Sequence, residues 1–125
     1  MSGQGSAPRR FVPPLRGEVE AECFDHPLLA PFACWRALLE APQWPDMAAL
    51  NAAVAVAGKW FVRQDEALLA DGLHYEQRIA ARAIATREAN WHDFFNALVW
   101  ARYPAIKRAL NARQCAAIAE VGTRQ

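Results

Sequence analysis

The chain lacks most of the short motifs that tie a sequence to known chemistry. It has no GxSxG string, no glycine-rich phosphate cradle and no dinucleotide fingerprint, so nucleotide-dependent and covalent-hydrolase readings have no positive support. Cysteine is scarce: Cys23, Cys34 and Cys115 are odd in number, far apart and without a CxxC pair, which argues against a disulfide framework and for a reducing cytoplasm. An excess of one charge is missing too. With 14 Lys and Arg against 13 Asp and Glu, the formal charge of +1 gives no long-range field to gather nucleic acid or an anionic membrane. No apolar run approaches the roughly 18 residues of a membrane span, and no apolar signal core follows Arg9 and Arg10. Internal repeats are absent, which excludes a solenoid.

What is present is the composition of a folded domain. The 125 residues are 54% hydrophobic and 22% charged, far from the signature of disorder. Residues 1 to 20, rich in Gly, Ser, Pro and Arg, are expected to form a mobile lead-in, and residues 21 to 125 a single globular domain.

The most informative stretch is residues 86 to 111. Asn90 is a good N-cap, and Asp93 three residues on is placed to close a capping box, so a helix is expected from about Trp91. Pro104 should stop it near Tyr103. At 100° per residue, Trp91, Phe94, Phe95, Leu98 and Val99 form an apolar stripe. The other face is unusual for a solvated surface: His92, Asp93 and Asn96, continued by Trp100 and Tyr103. His92 and Asn96 are four apart and Asp93 and Asn96 three apart, spacings at which side chains touch. Such a helix needs cover on both sides.

Elsewhere the pattern is simpler. Pro31 fits the first turn of a helix of about ten residues running to Ala41, and Asp46 caps a second through Met47, Leu50, Val54 and Val56, closed by Gly58. Residues 59 to 63 alternate as a strand. Tyr75, Gln77 and Ile79 also alternate, so residues 74 to 79 are expected to pair antiparallel with 59 to 63, although their Ala, Glu and Arg content favours helix. After Pro104 a helix restarts, and Asn111 is expected to cap a last one, ended by Gly122. The expected architecture is α+β and mostly helical: four or five short helices with a small antiparallel two-stranded hairpin.

The strings YEQRI (75 to 79), TREANWHDFFNALVW (86 to 100) and YPAIKRALN (103 to 111) resemble the bacterial family known as domain of unknown function 3025. The likeness runs from about Phe24 to Ile118, with LAPF (29 to 32), WPDMAALNA (44 to 52) and FV (61 to 62), and spans the front half of the family's usual length. It departs at Ala83 and Ala85, where a glycine and a proline are common. The resemblance implies a fold relation and a bacterial cytosolic setting, and no activity or cofactor.

His92, Asp93 and Asn96 form the candidate catalytic group, because an imidazole oriented by a carboxylate or amide is the unit of general bases. Arg87, Arg78 and Glu76 are candidate binding residues able to turn toward that face, with Arg87 suited to a carboxylate or phosphate; Trp100 and Tyr103 complete the set. The bland reading has Asp93 capping, His92 and Asn96 satisfied locally, and the arginines in structural ion pairs. Cys23, Asp25 and His26 begin a metal-like spacing but lack further ligands, so no metal is expected. Two functions follow. One is a binding or assembly module whose helix 91–103 presents its polar, aromatic face to a homo-oligomer or protein partner or to the missing rear half of the family domain. The other is a small-molecule enzyme with His92 as acid or base and Arg87 holding an anion.

Overall fold

A computed structural model describes residues 12 to 124. Among these, three 3-10 stretches (Arg16–Glu18, Ala21–Asp25 and Pro27–Trp35) precede six α-helices and two strands: α1 Arg36–Glu40, α2 Met47–Ala53, β1 Trp60–Arg63, α3 Glu66–Leu69, α4 Tyr75–Ala80, β2 Ala83–Thr86, α5 Trp91–Arg102 and α6 Pro104–Arg124. The mostly helical α+β expectation holds at that level.

The two strands are parallel, with Trp60, Phe61, Val62 and Arg63 opposite Ala83, Ile84, Ala85 and Thr86. This corrects the antiparallel hairpin in two ways. The segment 74 to 79 is helix α4, its backbone N–H at His74 held by Gln77 Oε1 at 3.1 Å, so its helix-favouring residues prevail over the alternation. The partner of β1 lies further on, and a parallel pair requires a long crossover, which α3 and α4 supply. In β2, Ile84, Ala85 and Thr86 are all buried, the continuous pattern of a strand covered on both faces. Arg82 turns the chain from α4 into β2 at φ +86, a left-handed conformation that costs a non-glycine residue about 1 kcal/mol or more. Its carbonyl accepts the Trp60 N–H at 3.0 Å. Along the other edge of β1 no strand is needed at Phe61: the Asn51 amide accepts the Phe61 N–H at 2.8 Å and donates to the Phe61 carbonyl at 2.9 Å.

The N-terminal third is less regular than expected. Between Pro27 and Trp35 the chain is a 3-10 helix containing two prolines, and only Arg36 to Glu40 is α-helical. Pro31 removes an N–H and crowds the preceding turn, so the ten-residue helix is shortened to five. α2 starts as expected, with Asp46 Oδ1 accepting from Ala49 N at 2.8 Å, but ends at Ala53; Gly58, at φ +73, serves the turn into β1 instead.

Of the lead-in, residues 1 to 11 lie outside the described residues. From Pro14 onward the segment is fastened to the core. Trp91 Nε1 donates to the Pro14 carbonyl at 2.9 Å. Arg16 is buried at 7% exposure, its guanidinium 4.6 Å from the Trp44 ring centroid and 5.1 Å from those of Trp91 and Phe94. It donates to the carbonyls of Ala41 (2.7 Å), Leu38 and Leu39, the open C-terminal end of α1, where a cation also meets the negative pole of the helix.

α5 follows the sequence closely. Asn90 Oδ1 accepts from Asp93 N at 2.9 Å, and the helix ends before Pro104. α6 does not break at Asn111 or Gly122: it is one helix of 21 residues. Asn111 is an interior residue because its side chain has a tertiary partner, donating to the Glu76 carbonyl at 2.7 Å and to Glu76 Oε1 at 2.9 Å.

Candidate functional site

The residues singled out on α5 separate into two groups. At the start of the helix, Asp93 does not reach back to the Asn90 N–H as a capping box requires. Its Oδ2 accepts from the Arg87 backbone N–H at 2.8 Å and from Arg87 Nε at 2.9 Å, while Oδ1 accepts from Arg87 Nη2 at 3.0 Å. Ala89, at φ +53, makes the tight turn that folds Arg87 against the helix end. His92 Nδ1 lies 3.2 Å from Asp93 Oδ1, and the His92 side chain is 85% exposed. An imidazole so placed has one nitrogen oriented by a carboxylate and the other open to solvent.

Burial works against the Asp93 carboxylate, yet hydrogen bonds from the Arg87 side chain and backbone and from His92 outweigh it and hold the group below the ordinary carboxylate range. Arg87 is correspondingly raised, chiefly by its hydrogen bond to Asp93. Its Nε and Nη2 face Asp93, while the side chain as a whole stays 53% exposed.

The second group is covered. Asn96 does not meet His92. Its Nδ2 donates to Tyr75 Oη of α4 at 3.1 Å, and its Oδ1 accepts from Lys107 Nζ of α6 at 2.8 Å. Burial, with the Glu76 and Asp93 charges, raises Tyr75 above the ordinary phenol range, so it stays neutral and serves as a hydrogen-bond partner. Trp100, expected on this polar face, is a core residue at 1% exposure, with Lys59 Nζ and Lys107 Nζ at 5.8 and 5.6 Å from its ring centroid. Tyr103 is half-buried, edge-on to Phe32 at 6.4 Å. On this part of the face Asn96 is thus bonded to the chain's own α4 and α6, while His92 stays exposed.

Glu76 and Arg78 do not turn toward His92. Glu76 accepts from Asn111. Arg78, buried at 3% exposure, makes a two-pronged pair with Asp71 (2.9 and 2.6 Å) and donates to the Leu73 carbonyl at 3.0 Å. The Arg78 and Leu73 hydrogen bonds lower the Asp71 carboxyl to about 2. In the CFDH string, Asp25 pairs with Arg36 at 2.7 Å and His26 Nδ1 accepts from Leu28 N at 3.1 Å. Among the described residues no cluster of three or more His, Cys, Asp or Glu suits a metal ion.

A feature without a sequence signal lies beside His92. Pro13, Pro14, Val19, Cys23, Phe24, Leu29, Trp91, His92 and Phe95 line an open groove of about 510 Å³. Its walls come from the N-terminal 3-10 stretches and from one side of α5. Trp91 and Phe95 belong to the expected apolar stripe and are only half-buried, because the groove leaves them uncovered. Val12, Leu15 and Leu28, neighbours in sequence of the lining residues, are exposed by 79%, 70% and 77%. Tyr75 and Lys107 could not be assigned to Asn96 from spacing, since the contacts cross 21 and 11 residues.

A family model described as "Protein of unknown function (DUF3025)" matches residues 60 to 125, which is 66 of 125 residues. The match begins at β1, so LAPF and WPDMAALNA lie outside it. No curated protein and no solved structure matches the chain.

Proposed function

The chain belongs to the DUF3025 family of proteins of unknown function, and we propose that it is a binding module whose working surface is the groove beside His92. The Asn96 and Trp100 side of α5 is occupied by α4 and α6, which moves the docking surface to the Trp91, His92 and Phe95 side. The carrying observation is the exposed His92 ring, tethered to Asp93, in the wall of an otherwise apolar groove. A volume of about 510 Å³ lies within the ~300–1,000 Å³ of small-molecule sites, in which apolar walls supply affinity and one or two polar groups fix orientation. The ligand class that fits is an apolar molecule with a single acidic or hydrogen-bonding head directed at His92. A bacterial cytoplasmic setting belongs to the same proposal, supported by three free cysteines among the described residues.

The test is binding of 1-anilinonaphthalene-8-sulfonate, whose fused rings and single anionic group match that description. Saturable one-to-one binding is expected, weakened about tenfold or more by Phe95→Glu and a few-fold by His92→Ala, with circular dichroism unchanged. Unsaturable binding, or binding indifferent to both substitutions, overturns the reading.

A second reading, general acid–base catalysis by His92, is favoured by the 3.2 Å approach of Asp93, which orients the imidazole. Arg87 then acts through Asp93 rather than on substrate. Turnover of an apolar p-nitrophenyl ester that persists in His92→Ala would remove it.

A further inference from the structure

α6 is the longest helix among the described residues, and most of its length is exposed. Among residues 104 to 121, whose side chains are described, only Asn111 is buried, and Pro104, Lys107, Cys115 and Ile118 are half-buried. These five, spaced three or four apart, define the stripe that faces α4 and α5, and it is largely polar: Lys107 bonds Asn96, Asn111 bonds Glu76, and Cys115 donates to the Glu76 carbonyl at 3.3 Å. The larger apolar side chains stand elsewhere. Ile106, Leu110 and Val121 are 60%, 55% and 54% exposed, and with Ala117 they follow one another at helical spacing along a single line. A solvated helix face would carry Glu and Lys at those positions. Large exposed apolar side chains that align along one helix face offer a surface on which a partner can dock.

The spacing identifies the cover. From Ile106 to Leu110 is four residues, from Leu110 to Ala117 seven, and from Ala117 to Val121 four, so the line reads the same from either end about a midpoint between Arg113 and Gln114. Self-complementarity is the condition for a two-fold interface, in which the same patch serves both subunits. We propose that the chain forms a homodimer by antiparallel packing of α6 on α6 of a second copy, with the two-fold axis passing between Arg113 and Gln114. Ile106 then meets Val121 of the second copy, and Leu110 meets Ala117, a large side chain against a small one. Arg113, the one charge on the line, lies beside the axis where Gln114 of the second copy offers an amide oxygen. The line spans 15 residues, about 22 Å at 1.5 Å per residue. One helix seam of that length falls at the small end of specific interfaces, so the dimer is weak.

The full chain is examined by sedimentation velocity from about 5 to 500 µM. A monomer–dimer equilibrium is expected, weakened at least tenfold by Leu110→Glu and by Ala117→Glu, and tightened by Arg113→Leu. Circular dichroism at low concentration verifies that each variant is folded, and the two Glu variants guard against either one failing. In a Cys23→Ser, Cys34→Ser, Cys115→Ser background, Arg113→Cys should form a disulfide-linked dimer on mild oxidation. Ile106→Cys should not, because antiparallel packing sets its two copies about 22 Å apart and a disulfide needs Cα atoms within about 7 Å. A monomer throughout the range, a dimer insensitive to both Glu variants, or Ile106→Cys crosslinking as readily as Arg113→Cys each overturns the proposal.

Discussion

α5 and α6 are joined at Pro104 and are held by different means. α5, with 12 residues, buries Phe94, Ala97, Leu98 and Trp100 in the hydrophobic core, and Trp44 meets its Trp91 and Phe94 edge-on. α6, nearly twice as long, buries one asparagine among its described side chains. It rests on alanine-rich helix propensity and on a few polar clasps: Lys107 to Asn96, Asn111 to Glu76 and Arg108 Nη2 to the Ala57 carbonyl at 2.6 Å. Helical content alone therefore says little about where stability resides. Tertiary burial stabilises α5, whereas α6 is a strut positioned by hydrogen bonds.

The largest test of that contrast uses one substitution in both helices. Leu98→Ala, at a site with 0% exposure, should lower unfolding free energy by about 2 to 5 kcal/mol, and Leu110→Ala, at 55%, by no more than about 0.5 kcal/mol. Urea denaturation at low protein concentration reads both; comparable losses would erase the distinction. Next is Asn111→Ala, which removes one of the two α6 donors to the Glu76 carbonyl, Cys115 being the other, together with the bond to Glu76 Oε1, and should cost about 0.5 to 1.5 kcal/mol. An effect near zero would mean that the clasp does not position α6.

The acid limb of stability sharpens the account of α5. The folded carboxyls of Asp93 and Asp71 titrate below their unfolded values, Asp71 at about 2. Such groups contribute stability that is complete above the unfolded value near 4 and is lost as pH falls toward the folded one. The melting temperature of wild type should therefore drop between about pH 4 and pH 2, and both Asp93→Asn and Asp71→Asn should flatten that slope. Unaltered slopes in both variants would refute the assignment. The smallest effect is expected for His92→Ala: with the ring 85% exposed, stability should stay within about 0.5 kcal/mol of wild type at pH 7.

The same contrast marks what could be read in the sequence. α5 was legible because its signals are local: Asn90 three residues before Asp93, Pro104 after Tyr103, an apolar stripe at 3.6 spacing. β1 and the Asp46 cap were legible for the same reason. Residues 74 to 86 were not, because Tyr75, Gln77 and Ile79 fit both periods and the strand that pairs with β1 is chosen by contacts more than 20 residues away. α6 was misjudged at Asn111, whose capping habit yields to a partner on α4. Of the candidate site, the Asp93 and His92 contact was within reach of adjacency. The Tyr75, Asn96 and Lys107 seam was not, since a proline lies between Asn96 and Lys107, and the Arg16 clasp joins segments with no shared pattern.

With the Asn51 amide seated against the Phe61 main chain, the outer margin of the two-stranded sheet is plugged where an incoming extended peptide would begin to zip on. An extended peptide adding a strand at that margin would first have to displace Asn51 from Phe61.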